Sequence, residues 1–290
     1  MTARIRFSFL PIISSLTVLF ILFAFHGPEL CVGEQIPIWP EGKIPNFQDH
    51  QTIPTYEICI PSEKKSTACV IVFPGGAYRK CCDQHEGVRV AQYFNQKGVT
   101  AVIVRYRVGR PKDAAKHLSA WQDAQRTVRL VRSRAAELGI DQEKIGCLGF
   151  SAGGHLTLMA AAASQTPAYA PIDELDQVSC CVNFAIPVYP AYVLQECSDR
   201  PYSGTGENME MAADFPFDTQ TPPMCLIHGD ADSVPSWGSL AVYRKLRTMN
   251  IPAEMHIYAK AGHGFGAMKG GDHLSAWMDR VHEWMEKMKF

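Results

Sequence analysis

The chain has 290 residues, with 28 Lys and Arg against 29 Asp and Glu, a formal charge of −1 near neutrality. That balance excludes the basic surplus that a nucleic-acid surface needs. A composition 47% hydrophobic and 20% charged excludes a disordered chain, and no repeat or low-complexity tract interrupts it.

In chain order, Arg4 and Arg6 precede an almost uncharged apolar run from Phe7 to Phe25. This is the pattern of a secretory signal peptide, and Cys31-Val32-Gly33 supplies small residues for cleavage before Glu34. The expectation is a leader over residues 1–33, removed on export to the periplasm or exterior, followed by one catalytic domain over 34–290. The alternative is an uncleaved anchor, because the run is close to the ~20 residues that span a bilayer. No other membrane association is expected.

Beyond residue 54, short runs rich in Val, Ile and Cys, bounded by Gly or Pro, read as strands: Tyr56–Ile60, Ala68–Phe73, Val99–Val104, Lys144–Gly149, Ser179–Ile186, Pro223–His228 and Ala253–Tyr258. Several are apolar on both faces, which places them in a mostly parallel sheet covered by helices. Between them, Trp121, Ala124, Val128, Val131, Ala135 and Leu138 repeat at helical spacing, leaving Arg126, Arg129 and Arg132 for solvent, and Gly139 follows as a C-terminal stop. Leu274 to Met288 carries a similar stripe. The expected fold is a doubly wound α/β domain, with a small cap-like insertion in the irregular stretch from Pro187 to Pro222. Tyr189, Tyr192, Tyr202, Phe215 and Phe217 there form either an aromatic substrate wall or a packed loop.

The ten cysteines do not read as a disulfide framework. Cys59, Cys69, Cys147, Cys180 and Cys225 lie in apolar runs where Cys packs as a small hydrophobe. Neither Cys81-Cys82 nor Cys180-Cys181 has the spacing of a zinc site. No metal and no organic cofactor is expected.

The chemistry gathers at strand ends. Gly149-Phe150-Ser151-Ala152-Gly153 is a G-x-S-x-G turn between a strand and a helix, where the Ser is lifted above the sheet next to a helix N-terminus. A nucleophilic Ser needs a base, and the base needs a carboxylate that fixes its tautomer. Asp230 and Asp232 follow the strand Pro223–His228, and His263 lies in a Gly-flanked loop after Ala253–Tyr258. The order Ser, acid, His is that of α/β-hydrolases. His228, His256 and His155 are read as structural. The strand Ala68–Phe73 ends in Pro74-Gly75-Gly76-Ala77-Tyr78, where the N–H groups of Gly76 or Ala77, with that of Ala152, are candidate donors to an oxyanion.

Together with Ile38-Trp39-Pro40-Glu41-Gly42, Asp83-Gln84-His85-Glu86-Gly87, Tyr106-Arg107, Gln122-Asp123-Ala124-Gln125-Arg126, His155, His228-Gly229-Asp230-Ala231-Asp232 and Gly262-His263-Gly264-Phe265, these motifs resemble the esterase/lipase branch of α/β-hydrolases. They are most similar to bacterial acetyl-xylan-esterase-like and feruloyl-esterase-like carbohydrate esterases. The resemblance covers nearly all of the chain after the leader and favours Asp232 over Asp230 as the acid. It implies a Ser151–His263–Asp232 esterase acting on short acyl esters of carbohydrate, with a small-molecule or oligosaccharide substrate. Tyr78, His85 and Glu86 are candidate substrate contacts, whereas Arg107, Asp123 and Arg126 read as scaffold. Ala77 departs from the family's usual third Gly. A peptidase of prolyl-oligopeptidase type and a non-catalytic binding module are the alternatives.

Overall fold

The structure is a computed structural model that describes residues 33–202, 204–267 and 273–290. The expected leader, Gly33 apart, therefore lies outside the described residues. Eight strands form one sheet: β1 (Ile36–Pro37), β2 (Thr55–Cys59), β3 (Cys69–Phe73), β4 (Thr100–Arg105), β5 (Ile145–Phe150), β6 (Phe184–Val188), β7 (Met224–Gly229) and β8 (Ala253–Tyr258), in the spatial order β1-β2-β4-β3-β5-β6-β7-β8. β1 and β2 pair antiparallel at one edge, and every pairing from β4 to β8 is parallel. The helices are α1 (Arg89–Gln96), α2 (Leu118–Ser133), the single turn α3 (Ala135–Leu138), α4 (Ala152–Ala162), α5 (Trp237–Thr248) and α6 (Trp277–Met288). Among the described residues, no helix is long and apolar enough to cross a membrane.

Strands β3, β5, β6 and β7 are buried at every position, which is why their sequences lack alternation. Two apolar clusters result. One joins Ile71, Phe73, Val102, Val128 and Leu156 beneath α2 and α4; the other joins Val70, Ile103, Phe94, Trp277 and Trp284 beneath α1 and α6. Helices thus cover both faces of the central strands, a mostly parallel, doubly wound α/β arrangement.

Three details differ from the sequence reading. β6 begins at Phe184 rather than Ser179, because the preceding residues turn to bond other groups: Ser179 O accepts from Arg132 at 2.7 Å and Asn183 N donates to Ile145 O at 2.8 Å. The strand also runs on through Pro187 to Val188. In α2, Arg126 and Arg132 are buried rather than exposed. Arg126 pairs with Asp173 and Asp176, and Arg132 reaches Ser179 O and Asn183 Oδ1. Cys59 is disulfide-bonded, which corrects its reading as a plain packing residue, while Cys69, Cys147, Cys180 and Cys225 are free and buried.

The stretch 187–222 has little regular structure beyond the bridge between Leu194 and Met211 and the short turn Gln195–Cys197. Its aromatics mostly pack inward: Tyr189, Tyr192 and Phe215 are buried, and only Tyr202, 63% exposed, stands on the surface.

Candidate active site

β5 delivers Ser151 into the turn before α4. Ser151 N donates to Val188 O at 3.0 Å, so the extension of β6 through Pro187 anchors the turn from the side. The backbone of Ser151 takes φ 52° and ψ −113°, a strained conformation of the order of 1–3 kcal/mol that the packing around it must hold. Gly153 allows the approach: a Cβ there would lie 2.0 Å from Phe73 O, at the end of β3.

β7 and β8 end beside β5 and β6 at the same edge of the sheet and carry the two partners. His263 Nε2 lies 2.8 Å from Ser151 Oγ, and His263 Nδ1 lies 2.8 and 2.9 Å from the two oxygens of Asp232. Val234 N donates to Asp232 Oδ1 at 2.7 Å, fixing a carboxylate whose side chain is fully buried. The imidazole remains 20% exposed, open to a substrate and to water. With Nδ1–H donated to Asp232, Nε2 is left to accept the Ser151 proton.

The rival residues lie elsewhere. Asp230 is exposed and accepts from Lys260 N in the turn after β8. His228 is buried, lies 2.8 Å from Ser239 Oγ through Nδ1 and donates from Nε2 to Val234 O at 2.9 Å; burial pushes its pKa down and keeps it neutral. His256 faces Glu254 on β8 at 2.8 Å. His155, in the first turn of α4, is buried with Nδ1 2.8 Å from Tyr78 Oη.

The loop after β3 lies against Ser151: a Cβ on Gly75 would come within 3.2 Å of Ser151 Cβ. Gly76 adopts φ +130°, which only glycine holds without strain, and a Cβ there would meet Lys80 O at 2.1 Å. Ala77, the departure from a third Gly, sits at φ 57°. The Gly75 N–H is taken by Glu86, whereas the N–H groups of Gly76 and Ala77 meet no acceptor among the described residues. Ala152 opens α4, so its N–H lies in the first turn, where helical amides lack internal partners.

Of the candidate substrate contacts, Tyr78 and Glu86 are placed beneath the site rather than on it. Tyr78 is 1% exposed and Glu86 3% exposed. Glu86 sits in a π-helical turn, Gln84–Val88, and accepts from Gly75 N at 2.8 Å and from Tyr189 Oη at 2.7 Å. Tyr189 Oη in turn accepts from Gly266 N at 2.9 Å, and its ring lies 5.0 Å from the His263 ring. This relay from the loop after β3 to the loop that carries His263 has no sequence signature. His85 is 36% exposed and accepts from Ala267 N through its carbonyl.

Arg110 was also unmarked in the sequence. It donates to Ala77 O and to Tyr192 Oη, joining the loop after β3 to the insertion. A cleft of about 450 Å³ opens there, lined by Ala77, Arg79, Arg110, Tyr192, Pro201 and Tyr202. The Tyr202 ring stands edge-on to the His263 ring at 6.3 Å, so the cleft leads to the hydrogen-bonded series.

The chain is similar to solved and curated proteins. An acetyl ester-xyloside bifunctional hydrolase from Caldicellulosiruptor lactoaceticus superposes with a TM-score of 0.76 at 31% identity, over 90% of this chain and 98% of that one. An acetylxylan esterase of Xylanibacter ruminicola is 26% identical over 223 residues, 72% of this chain and 43% of that protein. Endo-1,4-beta-xylanase B of Butyrivibrio fibrisolvens is 25% identical over 262 residues, 87% of this chain and 41% of that protein. The chain thus spans less than half the length of these two curated relatives. The BD-FAE family model matches residues 56–246, from β2 into α5 and including Ser151 and Asp232. With more than half its length matched in this way, the chain belongs to the BD-FAE family of α/β-hydrolases.

Proposed function

We propose that the protein is a serine carboxylic-ester hydrolase that removes short acyl groups, acetyl in the first place, from carbohydrate such as xylan. The observation that carries the reading is the series Ser151 Oγ, His263 and Asp232, joined at 2.8–2.9 Å at the strand ends of an α/β-hydrolase sheet. Ser151 attacks the ester carbonyl as His263 Nε2 takes its proton, and Asp232 holds the imidazole and stabilises the imidazolium. The tetrahedral oxyanion is received by the N–H groups of Ala152 and of Gly76 or Ala77. Protonated His263 then returns the proton to the departing sugar oxygen, leaving an acyl-Ser151 ester that a water, activated by the same base, hydrolyses.

The carbohydrate assignment is supported by the names of two of the relatives, an acetylxylan esterase and an acetyl ester-xyloside hydrolase. The cleft beside Tyr202 supports it too, since an exposed aromatic face suits a sugar ring. The leader remains a proposed export segment, checked by the N-terminal sequence of the mature protein.

The test is hydrolysis of a short-chain aryl ester and release of acetate from acetylated xylan by wild type and Ser151→Ala. Ser151→Ala is expected to lose both activities and covalent labelling by a fluorophosphonate while keeping its thermal transition. Activity surviving in that variant would overturn the assignment. Acetate release from aryl esters alone would leave the esterase chemistry standing and remove the carbohydrate substrate.

A further inference from the structure

Behind the nucleophile helix, three side chains far apart in sequence converge: His117 at the start of α2, His155 in the first turn of α4 and Asp214 in the insertion. Their ligand atoms all lie within 4.8 Å of one another. From Asp214 Oδ2, His155 Nε2 is 3.4 Å away and His117 Nδ1 is 3.9 Å away. The first separation is long for a hydrogen bond and the second is too long for one. His117 Nδ1 is moreover buried with no hydrogen-bond partner, on a side chain only 8% exposed. Such an orphaned buried nitrogen calls for an ion or a water between the groups.

We propose that His117, His155 and Asp214 bind a divalent first-row transition metal ion, Zn²⁺ by ligand type. Two imidazoles and a carboxylate are a borderline donor set of the kind zinc takes in tetrahedral coordination. Bonds of ~2.0–2.1 Å place tetrahedral ligands about 3.4 Å apart, against 3.4 and 3.9 Å from Asp214 Oδ2 to the two imidazoles and no more than 4.8 Å between any two of the three groups. The second coordination shell is already built: with Nε2 on the metal, His155 donates Nδ1–H to Tyr78 Oη, 2.8 Å away. The fourth position opens toward a cleft of about 490 Å³ lined by His117, Asp214, Lys116, Arg110 and Asp199 among others. Lys116 and Arg110 share that rim with Asp199, and the cleft leaves room for a water as fourth ligand. The ion would join α2, the nucleophile helix and the insertion, with Tyr78 linking it to the loop that carries Gly76 and Ala77. This role is independent of whether Ser151 is the nucleophile.

The test uses the full chain stripped with a chelator and titrated with Co²⁺ as a spectroscopic stand-in, then with Zn²⁺. One equivalent of Co²⁺ is expected to give tetrahedral d–d absorption that Zn²⁺ abolishes, and Zn²⁺ is expected to raise the melting temperature. His117→Gln and Asp214→Asn, verified as folded by their melting transitions without metal, should weaken binding at least about 100-fold and lose the thermal shift. His256→Ala should bind as wild type does, which separates this site from the Cys225–Glu254–His256 group on β7 and β8. Absence of stoichiometric binding by the wild type would overturn the proposal. So would binding that persists in His117→Gln and Asp214→Asn.

Discussion

Glu86 connects the two loops that flank Ser151, since one carboxylate accepts from Gly75 N and from Tyr189 Oη, which itself holds Gly266 N. It positions the groups around the reacting atoms without touching them. Glu86→Ala leaves two buried donors unpaired, at ~1–3 kcal/mol each. It also lets the loop after β3 drift, and because oxyanion contacts matter in the transition state rather than in substrate binding, kcat should fall by about 10²-fold with KM little changed. Glu86→Gln retains an acceptor for Gly75 and should recover part of that loss; equal kcat in the two variants would remove the positioning role. Asp232→Asn tests the other end of the series. Its amide cannot hold His263 in the same tautomer, so kcat should drop by about 10⁴-fold with the melting temperature close to wild type. Ser151 and His263 stand out in the sequence because glycines flank them, whereas Asp232 is told from Asp230 only by the family resemblance. Glu86, Tyr189 and Arg110 carry no such mark, because their partners are backbone atoms brought in from distant segments.

At the level of elements, α2 is tied to the sheet by a buried ion pair. Arg107, just after β4, donates from Nε to Asp123 Oδ1 at 3.0 Å, with Nη2 2.9 Å from the same oxygen as its ion-pair partner, and both side chains are fully buried. Trp39 Nε1 adds a bond to Asp123 at 2.7 Å, and Ser119 O and Gln122 Oε1 take the two Nη2 hydrogens. Removing one partner strands the other charge, which costs ~3–5 kcal/mol. Arg107→Met is therefore expected to lower the melting temperature by about 10 °C, read by calorimetry, and a shift of only a degree or two would show that the pair is not coupled to folding. The same helix shows where periodicity misleads. Arg126 and Arg132 fall on the face that the apolar stripe leaves over, yet Asp173, Asp176, Ser179 and Asn183 cover them from the chain beyond α4. Strands with uniform burial, such as β3 and β7, were legible as apolar runs. β1, two residues long and containing Pro37, and the displaced start of β6 were not, because both are decided by pairing partners rather than by local pattern.

At the scale of the whole fold, the three imidazoles buried among the described residues make acid stability the sharpest global property. Burial lowers the pKa of His155 and His228, and burial together with neighbouring His155 pushes His117 down to about 3. His117 and His155 face Asp214 and Lys116, and His228 faces Asp232 and His263. In the unfolded chain each takes up a proton near pH 6.5. Below that value the unfolded state binds protons the native state refuses, so stability is full above about pH 6.5 and declines as pH falls, down to about 3 for His117. Each withheld proton removes about 1.4 kcal/mol per pH unit, giving an upper limit of roughly 4 kcal/mol per unit for three. The aspartates with lowered pKa, Asp173, Asp176, Asp214 and Asp279, add their own loss only below about pH 4. Calorimetry of chelator-stripped protein from pH 7.5 to 4.5 should therefore show the melting temperature falling by up to about 10 °C per unit below pH 6.5. His117→Gln should flatten that slope by about a third, since one of three withheld protons is removed from the balance. A flat profile over the same range would mean that the three imidazoles charge in place, and that the packing around α4 yields to admit water before the domain unfolds.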